Sequence, residues 1–146
     1  EPTDLDYVVR RAPPIRFSPY IEKAALFELE STSDFESWKD LPFIWLMDSD
    51  GQPLASWVKP DMKDQGAALL VHTPAAVLPA VLAGVGVGYL HRHIGAQYDQ
   101  LVELDPLNDD QSMPLWVISH RDLTITPIVR EFIQQIMQTT GDENQT

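Results

Sequence analysis

The chain has 146 residues, 44% of them hydrophobic, which suits one packed domain and argues against bulk disorder. Its formal net charge of -12 repels phosphate backbones at long range and makes these residues a poor surface for direct nucleic-acid binding. With no cysteine, it has no disulfide framework, thiol nucleophile or thiolate metal site, and a reducing, cytoplasmic setting is the expectation.

Taken in order, Leu5 to Arg10 reads as a strand with a β-branched centre. Arg11-Ala-Pro-Pro should end it, because neither proline can donate to a ladder. Ala24 to Glu30 alternates in part and reads as another strand. Ser33, with Glu36 three residues on, has the pattern of a capping box opening a short helix through Lys39. Pro42 to Met47 is a short apolar run, expected to be a buried strand, and Asp48-Ser-Asp-Gly a turn. Leu54 to Val58 suggests one or two helical turns with Trp57 inward, and Asp61 to Gly66 a loop. Ala67 to His72 does not alternate and reads as a strand buried on both faces.

Thr73 to His91 holds the longest apolar stretch, from Ala75 to Leu90, interrupted by Pro79 and three glycines. It is too broken for the ~20 residues that span a bilayer. The order is cap, short helix, glycine stop, strand. A dinucleotide fingerprint needs strand, glycines and helix in that sequence, so Gly84-Val-Gly-Val-Gly is not one. Gly84 instead suits the left-handed residue after a helix, and Gly86 and Gly88 suit a strand lying close to its neighbours. At the helix's other end, Thr73 before Pro74 sets a hydroxyl and free N–H groups where anions are favoured. A plain N-cap is the alternative, and Pro79 should delay the regular helix beyond Thr73.

His91 to Tyr98 reads as a short helix, Gln100 to Leu104 as a strand, Asp105 to Ser112 as an acidic loop and Pro114 to Ser119 as a strong strand. Thr126 caps a last helix with Pro127 at its first position and Val129, Phe132, Ile133 and Ile136 as its apolar stripe. The tail from 141 to 146 reads as disordered. Alternating strands and helices argue for α/β layers with mainly parallel pairing. His91-x-His93 lacks metal-ligand spacing, and Ser119-His120-x-Asp122 holds triad letters without a nucleophile elbow, so neither a metal nor a catalytic role is assigned.

Several segments, in order, resemble the effector-binding domain of LysR-type transcriptional regulators. Val77-Leu-Pro-Ala-Val-Leu-Ala-Gly-Val-Gly-Val-Gly-Tyr-Leu resembles the family's glycine-rich segment. Leu115-Trp-Val-Ile-Ser-His-Arg followed by Pro127-Ile-Val-Arg-Glu-Phe-Ile resembles its closing segment, and Leu101-Val-Glu-Leu the strand between. Asp4 to Arg10, Trp38 to Ile44, and Asp50-Gly to Trp57 match further stretches. The resemblance implies a two-lobed fold of the type II periplasmic-binding-protein kind, a small effector held between lobes, and hinge strands between them. It implies that residues 12–104 form the second lobe, and that 1–11 with 105–140 supply first-lobe and hinge elements.

The chain departs from the family pattern in three ways. The winged helix-turn-helix, linker helix and opening of the first lobe have no counterpart here; the segment between Pro14 and Ser31 diverges; and Leu90-His91 replaces the usual Leu-Pro. The implied effector residues are Thr73 and His72 at the second-lobe helix, Arg10 and Arg11 near the first hinge crossing, and Tyr89 and His91 past the glycines. A guanidinium holds a carboxylate by a bidentate pair, so an anionic effector would suit these residues. No cofactor, enzymatic activity or membrane is implied. DNA would be contacted only through the absent helix-turn-helix, and self-association or a partner strand would cover the first lobe's exposed core. A transport-type solute-binding protein of the same fold, or a small α/β enzyme, are the alternatives.

Overall fold

The computed structural model describes residues 6–34, 36–53, 67–105 and 111–139. The expected helix at 54–58, the loop at 61–66, most of the acidic loop and the tail lie outside them. The chain divides into two compact units, one of residues 1–15 with 112–146 and one of residues 16–111.

β1 runs from Tyr7 to Glu22, longer than the sequence suggests. Pro13, Pro14 and Pro19 lie within it. Proline lacks a donor, but its fixed φ suits extended backbone and its carbonyl still accepts. At Pro19 the carbonyl takes the Leu104 N–H at 2.9 Å.

α1, Lys23–Thr32, replaces the expected strand. The Glu22 carboxylate caps it by accepting the Ala25 N–H at 2.8 Å, and Ala25, Leu26 and Leu29 face the core at helical spacing. Ser33 closes this helix through its N–H to the Leu29 carbonyl. The expected capping box forms four residues later, between Ser37 and Asp40, over a single 3-10 turn at Trp38–Asp40.

β2 (Phe43–Leu46) and β3 (Ala67–Val71) pair in parallel. The Asp48 turn forms as expected, with Asp48 Oδ1 accepting from the N–H groups of Asp50 and Gln52 and Gly51 at φ 72°. β3 is not buried on both faces: Ala67 to Leu70 are exposed, Leu70 by 54%. Among the described residues β3 pairs only with β2, so one edge and much of its faces remain open.

α2 spans Pro74–Leu82, β4 Gly88–His91, α3 Arg92–Gly95 and β5 Leu101–Glu103. β4 and β5 both flank β1 antiparallel. Pairing among the described strands is therefore not mainly parallel, because β1 enters this unit as a single long strand running against both neighbours. The parallel pairs are β2 with β3 and the bridge between Phe43 and Val87.

Period-two alternation sends side chains of β1 and β2 to two cores. Tyr20 and Ile44 join Val77, Val81, Leu90 and Leu101 beneath α2. Ile21, Phe43 and Trp45 join Leu41 and Val87 beneath α1. Gly86 and Gly88 make the close approaches expected of them. A Cβ at Gly86 would run into the Pro42 carbonyl, and one at Gly88 would lie 2.5 Å from Val81 Cγ2.

The other unit holds β6 (Ser112–His120), which pairs with β1, then α4 (Arg121–Thr124) and α5 (Pro127–Thr139). In α5 the expected stripe is only partly inward. Ile133 is buried and Val129 and Ile136 are half-buried, but Phe132 is 63% exposed.

Candidate functional site

α2 carries the first candidate. It begins at Pro74, earlier than the helix-breaking character of Pro79 suggests. Pro79 leaves only the Ala75 carbonyl without its helical donor, and both residues are exposed, where water can serve that carbonyl. Thr73 occupies the N-cap position with extended backbone, and its carbonyl accepts the Ala76 N–H at 3.0 Å. Its hydroxyl makes no capping hydrogen bond. Pro74 contributes no N–H of its own, so this terminus presents the Thr73 hydroxyl and a positive helix end to the outside. His72 and Thr73 are both exposed, at the C-terminal end of β3.

Tyr89 and His91 share one face of β4, opposite Pro19 and Phe17 of β1. Tyr89 packs in the core beneath α1, stacked at 6.5 Å on Phe43. Its phenol oxygen accepts from Gln111 Nε2 at 3.3 Å. Burial pushes its pKa up, while the Gln111 hydrogen bond opposes this and Asp105 adds to it. His91 is half-exposed and caps α3, its Nδ1 accepting the His93 N–H at 3.2 Å.

Arg10 and Arg11 belong to the other unit and are both exposed. The Arg11 guanidinium lies 5.8 Å from the centre of the Trp116 ring, a cation–π arrangement. The structure thus groups His72 with Thr73 and sets Tyr89 two residues from His91 along one strand. Arg10 and Arg11 lie on β1, in the other unit.

One contributor, Gln111, carries no sequence signal, and His120, noted in the sequence for its triad letters, has a local structural role. Gln111 is buried, and it braces both β1, through its carbonyl to the Phe17 N–H at 2.9 Å, and Tyr89 through its amide. Only folding brings it there, 22 residues from Tyr89. His120 caps α4 through the Asp122 N–H at 3.3 Å. The adjacent Ser119 hydroxyl pairs with Thr124 Oγ1 at 2.9 Å, so the triad letters serve the end of a strand. Among the described residues no His, Asp or Glu cluster has the geometry to hold a metal ion. No described helix is long and apolar enough to cross a membrane.

Among curated proteins no sequence match is found. Solved structures match in fold. The regulatory domain of CrgA, a LysR-type transcriptional regulator from Neisseria meningitidis, is 14% identical with a TM-score of 0.62 over 96% of this chain and 72% of that one. The BenM effector binding domain with its effector benzoate is 17% identical, with a TM-score of 0.56 over 100% of this chain and 68% of that one. Full-length CbnR complexed with its target DNA is 13% identical, with a TM-score of 0.58 over 94% of this chain, which spans 49% of that protein. The mixed α/β fold is that of LysR effector-binding domains, a type II periplasmic-binding-protein-like fold. The family model described as LysR substrate binding domain matches residues 1–141, so the chain belongs to that family.

Proposed function

We propose that this chain is the ligand-sensing part of a LysR-type transcriptional regulator and takes a small anionic effector between two lobes. Effector binding favours one lobe arrangement, and a helix-turn-helix elsewhere in the whole protein reads the change on DNA. The observation that carries this reading is the family match over 141 of 146 residues. The benzoate of BenM and the target DNA of CbnR supply the ligand class and the readout by analogy.

In this reading residues 12–104 form the second lobe, and 1–11 with 105–140 supply first-lobe and hinge elements. Thr73, with its hydroxyl unused by its own helix, and the positive end of α2 seat the anionic group. His72 flanks them, Arg10 or Arg11 supplies the opposing cation, and His91 and Tyr89 hold the wall. The chain acts by binding, without turnover, in the cytoplasm. It self-associates through the first-lobe elements, whose apolar side chains are open.

Calorimetric titration and thermal shift with benzoate and a panel of other small carboxylates test this. We expect one saturable site. At a ligand concentration of about 100 Kd we expect about 2.7 kcal/mol of stabilisation. A panel that neither binds nor stabilises would remove the anionic reading.

A further inference from the structure

We propose that β6 is a docking edge for the β6 of a second copy of this chain, the two strands pairing antiparallel about Val117. The proposal rests on the self-association put forward above and names the surface that carries it.

Two hydrogen bonds fix which way β6 points its backbone. The Arg121 N–H bonds the Asp6 carbonyl at 2.8 Å, and the Phe17 N–H bonds the Gln111 carbonyl at 2.9 Å. β1 and β6 therefore run antiparallel, and residues 111 and 121 both face β1. Backbone groups of successive strand residues point to opposite sides, so Val117 and Ser119 also face β1, and Trp116, Ile118 and His120 face away. The side chains agree. Tyr7 meets His120 at 5.7 Å and Arg11 meets Trp116 at 5.8 Å, as the closely spaced, non-hydrogen-bonded pairs of this register should. Among the described residues β6 pairs with β1 alone, so its outward N–H and C=O groups line an open edge.

That edge is complementary to itself. With Val117 opposite the second copy's Val117, Trp116 of each copy exchanges backbone bonds with Ile118 of the other. The next outward pair sets Pro114 against His120. Pro114 has no N–H to give, and the His120 carbonyl needs none, because it already accepts the Thr124 hydroxyl at 3.0 Å. The His120 N–H meets the Pro114 carbonyl. Trp116 and Ile118, 38% and 48% exposed, lie on one face and cover each other across the junction. Charge favours the same contact. A net charge of -12 holds two copies apart over most of their surface, but Ser112–His120 contains no Asp, Glu, Lys or Arg. The β1 edge of the same unit carries Arg10 and Arg11 and runs into Pro13 and Pro14, features that keep strand edges from pairing. Two identical strands paired antiparallel form a closed twofold contact, so association stops at a dimer.

Sedimentation and amide hydrogen exchange on the 146-residue chain, from dilute to concentrated protein, test this. We expect the mass to rise to that of a dimer, and protection of the Trp116 and Ile118 amides to rise about tenfold with it. The Val117 and Ser119 amides, held by β1, should be protected throughout. Ile118→Lys sets a charge on the edge and should keep the chain monomeric with Val117 still protected. Ile128→Lys, at a position 76% exposed on α5, should leave the dimer intact. A parent chain that is monomeric at every concentration would overturn both the pairing and the self-association beneath it. A dimer whose Trp116 and Ile118 amides stay unprotected, or one that Ile128→Lys dissolves and Ile118→Lys does not, would overturn the pairing and leave self-association standing.

Discussion

Tyr20 ties three elements of the larger unit together at one ring. It is buried in β1, its hydroxyl donates to the Arg92 carbonyl at 3.3 Å, and its ring fills the space that a Cβ at Gly95 would need. Burial, reinforced by Glu103 and opposed by Arg92, pushes its pKa from 10.0 to about 12. The folded protein thus keeps this phenol neutral where the unfolded chain ionises it. The stability it confers is complete below pH 10 and is lost as pH rises through about 12. We expect the urea midpoint to decline across that window, and to decline less in Tyr20→Phe, which has no phenol to ionise. Matched declines in the two proteins would assign the alkaline loss to other groups. Nothing in the local sequence marks Tyr20 for this role. Its partners come from β4, α3 and β5, and only the pairing of β1 assembles them.

The α2 helix shows which elements are legible in a sequence. Its stop is a complete Schellman motif: the Gly84 N–H bonds the Val81 carbonyl at 2.9 Å, and the Val85 N–H bonds the Ala80 carbonyl at 3.2 Å. Gly84 has φ 72°, and a Cβ there would lie 3.3 Å from Ala25 Cβ. We expect Gly84→Ala to cost about 1–2 kcal/mol, the penalty for an L-residue in the left-handed region, measured by urea denaturation. A cost near zero would mean that the helix end relaxes to another geometry. Glycine chemistry of this kind is local, so it can be read from the chain. α1 was not legible, because its cap is a glutamate, Glu22, and its inward residues, Ala25, Leu26 and Leu29, also fit partial alternation. The length of β1 was not legible either. Proline forbids donation, but donation is needed only where a neighbour's carbonyl faces that N–H.

Across the whole molecule, the α/β class and the family were legible, since ordered weak motifs add up over most of the chain. Pairing direction was not, because alternation specifies a face and says nothing of the partner strand's direction. Of the candidate site, the Thr73 terminus was legible as a helix start, whereas the Gln111 brace under Tyr89 was not. The two units also differ in how much they bury. Ala12 and Ile133 are the buried hydrophobic residues described in the unit of 1–15 and 112–146, while Trp116, Ile118, Leu123, Ile125, Ile128 and Phe132 are exposed there. In the proposed reading, these exposed apolar side chains are where the chain self-associates. We expect the chain to run above its monomer mass in sedimentation, and Ile118→Lys with Phe132→Glu to shift it toward monomer. A parent protein that is already monomeric would remove self-association from the proposal.

Binding at the Thr73 terminus is the centre of the functional reading, and calorimetric titration of Thr73→Ala beside the parent chain, using the tightest-binding carboxylate of the panel, tests it most directly. The Thr73 hydroxyl makes no cap bond, so its removal should change stability by less than about 0.5 kcal/mol. If that hydroxyl holds the anionic group, affinity should fall about tenfold, as for loss of a hydrogen bond to a charged partner. Equal affinity in the two proteins would contradict the assignment of the effector seat to the start of α2.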